Sequence, residues 1–244
     1  MRRDAAGARI GTAGWSIPAA SRDAFPAAGT GLERYAARLN AAEINSSFYG
    51  PHRPQTYERW AAAVPAGFAF AVKLPKAITH VARLAAAEDL LAGFAAEVAG
   101  LGDKLGVILV QLPPSLAVDA AVAGPFFRQL SNVVPQAGIA CEPRHASWFT
   151  AEANDLLAGL HVARVAADPA ILPVASEPGG WSGLRYYRLH GSPTIYRSSY
   201  EAQALETIAA DMAQVGARDW CIFDNTASGA AIANALSLQA MVAA

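Results

Sequence analysis

The chain has 244 residues, 53% of them hydrophobic and 16% charged, with a formal net charge of −1. That much apolar side chain excludes a disordered polymer, and so few charges exclude a coiled coil. Near-neutrality also excludes a protein that coats extended nucleic acid through a basic excess, so contact with a polyanion has to come from a local patch. Setting aside the 57 alanines leaves about 30% large apolar residues, enough for one sizeable core and a single domain spanning 1–244. No apolar run approaches the ~18–20 residues of a membrane span. The opening Met1-Arg2-Arg3-Asp4 lacks the apolar stretch of a signal peptide, which predicts a cytoplasmic protein with no membrane partner. Cys141 and Cys221 lie far apart in apolar segments and are expected to be buried free thiols.

Eight short apolar runs recur along the chain, each ending in polar residues and a turn. They cover 9–14, 42–46, 69–74, 106–112, 138–144, 163–168, 184–190 and 220–225. Helical periodicity follows at 31–39, 54–63, 90–100, 122–130, 151–160, 200–215 and 229–242, with Pro54 suited to a first helical position. The Pro- and Gly-rich stretch 169–183 is predicted as a loop. Eight strand–helix units in this length match an α/β fold of the (β/α)8, TIM-barrel-like kind. The competing doubly wound sheet would carry a dinucleotide-binding glycine pattern after its first strand, and GTAGWS (11–16) lacks that spacing.

The runs stay apolar until their carboxyl ends. There they present Glu43 with Asn45, Lys73, Gln111, Glu142 with Arg144 and His145, Asp168, Arg188 with His190, and Asp224 with Asn225. Alternation along a strand puts Glu43 and Asn45 on one face, and likewise Glu142 with Arg144 and Arg188 with His190. Their neighbours Ile44, Cys141 and Leu189 suit the helix-covered outer face, so the charged set is predicted to converge on the barrel mouth. Buried charges are costly unless paired, which makes such a convergence either a ligand site or an internal salt-bridge network. The basic residues are skewed to 16 Arg against 3 Lys, two of which, Lys73 and Lys76, share the tetrapeptide KLPK.

At these residues the chain resembles the domain-of-unknown-function 72 family, the YecE-like proteins. The matching stretches are GTAGWS (11–16), AEINSSFY (42–49), FAFAVKLPKAITH (68–80), LGVILVQLPPS (105–115), EPRHASWF (142–149), YYRLHG (186–191) and FDNTASGAAIANA (223–235). The resemblance implies a TIM-barrel-like fold over about 9–237 and leaves the chemistry to be read from the residues. Ala13 stands where the family commonly has Ser, Asp224 where it usually has Asn, and Pro143 where an aromatic or apolar residue is usual.

The residues suggest an enzyme, of the hydrolase or lyase class, acting on a small anionic substrate that bears a phosphate or resembles a nucleotide. Lys73, Arg144 and Arg188 would clamp the anion. Glu43, Glu142 and His190 would carry acid/base catalysis, with His145 as a second candidate histidine. Asn45, Gln111 and Asn225 would contact substrate; Trp15, Tyr49 and Trp148 follow strand ends, where each is expected first to pack against the barrel rim and otherwise to stack on a ring. No motif identifies a cofactor. A divalent metal on Glu43, Glu142, His190 and Asp224 is the weaker alternative, because no ligand spacing supports it and the arginines compete for the same carboxylates. The second reading is a non-catalytic barrel that binds a nucleotide or a nucleic-acid end. Ser46 and Ser47 are assigned to loop hydrogen bonding, since no motif fixes a histidine beside them.

Overall fold

A computed structural model of the protein describes residues 7–213 and 218–243. The residues on which the missing-leader expectation rests, 1–6, and the end of the predicted helix 200–215 lie outside that range. Strands β1 (Arg9–Ala13), β2 (Ala41–Ile44), β3 (Ala69–Lys73), β4 (Leu105–Gln111) and β5 (Gly138–Glu142) alternate with helices α1 (Gly31–Ala36), α2 (Pro54–Ala62), α3 (Glu88–Val98) and α4 (Ala120–Val133). After β5 come α5 (Ala151–Gly159), β6 (Val162–Arg164), β7 (Ala166–Asp168), β8 (Gly179–Gly180), β9 (Leu184–Leu189), α6 (Ala202–Met212), β10 (Arg218–Phe223) and α7 (Ala230–Ala243).

The strands hydrogen-bond in the order β7-β9-β10-β1-β2-β3-β4-β5-β6-β8, and every pairing except β6 with β8 is parallel. The run predicted as one strand over 163–168 is split at Val165, whose N–H donates to the Cys141 carbonyl at 2.8 Å. Its first half pairs with β5 and its second half with β9, so one stretch of chain brings the two flanks of the sheet together into a nearly closed TIM-barrel-like ring. The stretch 169–183 holds a short 3-10 turn and β8 but no α-helix. Where a sixth covering helix would lie, a cleft of about 760 Å³ opens between β7, β9 and α6.

Two packed layers follow from strand alternation. Outward residues such as Ile10, Ile44, Phe70, Val72, Ile108, Val110, Cys141, Leu189 and Phe223 join the helix faces in the larger core. Inward residues form a second core in which Ala41, Ala69, Ala71, Ala140, Ala163 and Ala167 surround Leu109, Tyr186, Trp220 and Ile222. Small residues on one side of the interior thus leave room for large ones on the other. The Trp220 ring reaches across to β4, where a Cβ on Gly106 would fall 2.4 Å from its Cζ2. Helix entry is secured locally: Thr30 and Glu33 form a reciprocal capping box at α1, and Asp119 and Thr150 cap α4 and α5.

Overpacking at this contact is measurable. Gly106→Ala should cost about 1–3 kcal/mol and lower the melting temperature by several degrees. Trp220→Leu in the same background should recover part of the loss. Melting of Gly106→Ala at the wild-type temperature would show that Trp220 does not fill the space across from β4.

Candidate functional site at the strand carboxyl ends

The inward alternation that places Ala41 and Tyr186 in the interior carries on to Glu43 and Arg188, one step nearer the carboxyl end. Arg188 lies at the centre. Its Nε and Nη2 donate to Glu43 Oε1 at 3.0 and 2.8 Å, its Nη1 to Glu142 Oε2 at 3.1 Å, and its Nη2 also approaches Asp224 Oδ2 at 3.0 Å. One guanidinium from β9 therefore joins carboxylates of β2, β5 and the end of β10. Tyr186, two residues before it on the same face, donates its hydroxyl to Glu43 Oε2 at 2.6 Å. Glu43 and Glu142 are fully buried, and Arg188 and His190 are each 1% exposed.

His190 stands between two carboxylates, with Nδ1 3.0 Å from Asp224 Oδ2 and Nε2 2.9 Å from Glu142 Oε1. The same Nε2 lies 2.8 Å from Arg144 Nη2, which also contacts Glu142 Oε1. Arginine can only donate, and a carboxylate can only accept. Protonated, Nε2 is therefore held by Glu142; deprotonated, it accepts from Arg144. Either protonation state of the ring finds a partner already in place.

Burial opposes the charges of Glu142, Asp224 and His190, and their pairing overcomes it. Desolvation would raise Glu142 and Asp224, but the Arg188 charge, reinforced by His190, holds both carboxyls below the ordinary range. Burial likewise would lower His190, yet the Glu142 charge and the hydrogen bonds to Asp224 and Glu142 raise it above the usual imidazole value. Burial and the Arg188 charge pull Lys73 down to about 8, against the attraction of Glu43, Glu142 and Asp224. Three carboxylates face Arg188, Arg144 and Lys73, so protonation of His190 leaves one positive charge in excess.

The structure thus brings together Glu43, Lys73, Glu142, Arg144, Arg188 and His190, as strand alternation predicted. Arg188, expected to hold an anion, commits its nitrogens to carboxylates of the chain. Lys73 and Arg144 are the half-buried cations, and Arg144 Nε is buried with no hydrogen bond. Asn45 Oδ1 is likewise buried and without a partner. Gln111 stands beside Glu142 in the β4–β5 register. Asn225 braces the fold, donating to the Ser198 carbonyl and Asn234 Oδ1.

Other expected residues have local tasks. His145 Nδ1 accepts from the Ser147 N–H and caps the following turn. Trp15 packs edge-on against Trp60 and Phe70, with centroids 5.2 and 6.2 Å away. Trp148 packs rather than stacks on a ligand: it is buried in the core, with Nε1 donating to the Leu116 carbonyl. Tyr49 remains 82% exposed.

Two features escaped the sequence reading. Tyr186 shares the inward face of Arg188 and His190, so the alternation that found those two also pointed to it. His52 Nε2 lies 2.7 Å from Ser46 Oγ, a proximity that no spacing rule announces. Among the described residues, no group of three or more His, Cys, Asp or Glu side chains is arranged to hold a metal ion. Arg188 occupies the space between the carboxylates that the metal alternative would have used.

A family model described as "Protein of unknown function DUF72" matches residues 9–244. The UPF0759 protein YecE of Escherichia coli K12 is 30% identical over 154 residues, 62% of this chain and 54% of that protein. The match therefore spans about half the length of that curated relative. DUF72 proteins from Enterococcus faecalis and Thermotoga maritima superpose with TM-scores of 0.78 and 0.77 at 21% identity. Each alignment covers 97% of this chain, and 95% and 100% of the respective structures. A sugar phosphate isomerase/epimerase from Parabacteroides distasonis shares the fold at TM-score 0.58 and 12% identity, over 99% of this chain and 96% of its own.

The shifted groups set a pH signature. A carboxyl held below its unfolded value stabilises the fold above about pH 4 and loses that contribution as pH falls toward its native value. A raised His190 acts in the opposite sense, stabilising below about pH 6.5 and fading as pH rises through its native value. Glu142→Gln should therefore be markedly less stable than wild type at pH 7 in urea titrations, with the gap narrowing as both are acidified below pH 4. A gap that does not change with acid would mean that the Glu142 charge carries no stability.

Proposed function

The chain belongs to the DUF72 family, and from that premise we propose that it is an enzyme, of the hydrolase or lyase class, acting on a small anionic ligand at the carboxyl-end mouth of the barrel. The carrying observation is the shared proton position on His190 Nε2, served by Glu142 when occupied and by Arg144 when empty. A ring so placed gives up and regains a proton without stranding a buried partner, as acid/base catalysis requires. The half-buried Lys73 and Arg144 support an anionic ligand, with a phosphate-bearing or nucleotide-like compound as the best chemical match. Glu43 supports the reaction indirectly, by fixing Arg188.

The Parabacteroides distasonis sugar phosphate isomerase/epimerase shares the architecture, while the proposed chemistry comes from this chain's own residues. The two cysteines are buried and unpaired, which suits a reducing compartment such as the cytoplasm. No helix among the described residues is long and apolar enough to cross a membrane.

The test is a thermal-shift screen of phosphorylated metabolites and nucleotides, followed by turnover assays on whatever binds. A specific ligand raises the melting temperature through its preference for the folded state. The expected pattern is a shift with one anionic class that Lys73→Met diminishes, and turnover that His190→Gln reduces at least about 100-fold while binding persists. Binding without turnover in the wild type would favour the non-catalytic barrel, and no shift with any anionic class would remove the proposal.

A further inference from the structure

Lys73 is the one cation of the mouth that has no carboxylate bound to it among the described residues. Its ammonium instead lies 4.1 Å from the centre of the Phe48 ring. The main chain beneath it is held on both sides: Ser47 Oγ donates to the Lys73 carbonyl at 2.6 Å, and the Leu74 N–H donates to the Leu109 carbonyl at 2.9 Å. Asn45, whose Oδ1 is buried and unpartnered, follows Ile44, the residue that pairs with Val72 just before Lys73. Glu43, Glu142 and Asp224 lie close enough to feel the ammonium's charge, yet Arg188 has already bound all three.

Leaving an ammonium half-buried and unpaired costs free energy, so its retention calls for a reason. Anchoring an anion does not supply one, because guanidinium does that as well or better, and this chain chooses Arg for 16 of its 19 basic residues. What lysine does and arginine cannot is lose its proton near neutral pH and attack an electrophile. Burial and the Arg188 charge favour that neutral amine, against Glu43, Glu142 and Asp224; His80, on the segment after β3, feels the same lysine's charge together with that of Lys76.

We propose that Lys73 forms an imine with a small aldehyde or ketone that carries an anionic group. The neutral Nζ adds its lone pair to the carbonyl carbon, making a C–N bond while the carbonyl oxygen takes up a proton. Over addition and dehydration the nitrogen gives up both of its protons, the oxygen gains two and departs as water, and the C=N bond remains with no net oxidation. The proposal rests on the reading of the mouth as the ligand site and names the substrate class for it. Arg144, whose Nε has no partner, is the group available to hold the substrate's negative charge.

The lysine content of the chain makes the test clean. Only Lys76 and Lys104 accompany Lys73; Lys76 is exposed, and Lys104 is bonded to the carbonyls of Pro65 and Ala66. The full-length protein would be incubated with glyoxylate, pyruvate or neutral acetone, then reduced with borohydride, which adds hydride to the imine carbon and fixes the adduct for peptide mass mapping. Expected is about tenfold more reduced adduct at Lys73 than at Lys76 with the two anionic carbonyls, and a clearly smaller preference with acetone, which gains only from the neutral amine. In Lys73→Arg, which keeps the charge, the preferential adduct should vanish. Equal labelling of Lys73 and Lys76, or none at Lys73, would overturn the imine, and an equal preference with acetone would overturn the anionic requirement.

A parallel arm measures acetylation of Lys73 by acetic anhydride with and without inorganic phosphate. Protection by phosphate without any imine would defeat this proposal and leave the anionic mouth standing. Neither protection nor imine would defeat both.

Discussion

One guanidinium holds the carboxyl end of this barrel together. Glu43, Glu142 and Asp224 project inward from strands spread around the ring, and three buried carboxylates without a counter-charge would repel one another in a medium that solvates none of them. Arg188 reaches all three, with contacts between 2.8 and 3.1 Å. Such a network is weak evidence for added stability relative to an apolar core, but losing one member leaves the others uncompensated. Its main consequence is positional: with the carboxylates fixed, Glu142 and Asp224 hold His190 by both ring nitrogens.

The interior below makes that arrangement possible. Alanines on β2, β3, β5, β6 and β7 leave the volume into which Tyr186 and Trp220 project, and Tyr186 carries its hydroxyl up to Glu43. A single inward face of β9 thus runs from the apolar Leu184 through Tyr186, which has one polar tip, to Arg188 and then His190. Polarity rises along the strand toward the mouth. The less buried charged groups there are Lys73 and Arg144, beside the fully buried Glu43, Glu142 and Arg188.

Much of this was legible in the chain. Period-two alternation identified the inward face of Glu43, Glu142, Arg188 and His190, and Ile44, Cys141 and Leu189 pack outward under the helices as that pattern requires. Alternation reports a face, however, and not a partner. It could not tell that Arg188 would be consumed by carboxylates of the chain, because that depends on strands distant in sequence. Proximity to a strand end did not by itself separate ligand-facing residues from packing ones: the loops that follow the strands pack Trp148 and Trp15 and use His145 as a cap. The split of the sixth strand at Val165 was hidden for a similar reason: one apolar run reads the same whether it pairs on one side or on two.

The central claim is that Arg188 and the carboxylates act as one unit. A double-mutant cycle on Glu43→Gln and Arg188→Met, read by urea unfolding at neutral pH, tests it most directly. The account predicts a coupling of roughly 2–3 kcal/mol, because the first substitution already removes what the second would break. Losses that simply add, to within about 0.5 kcal/mol, would show that the two side chains contribute independently and that the network does not organise the mouth.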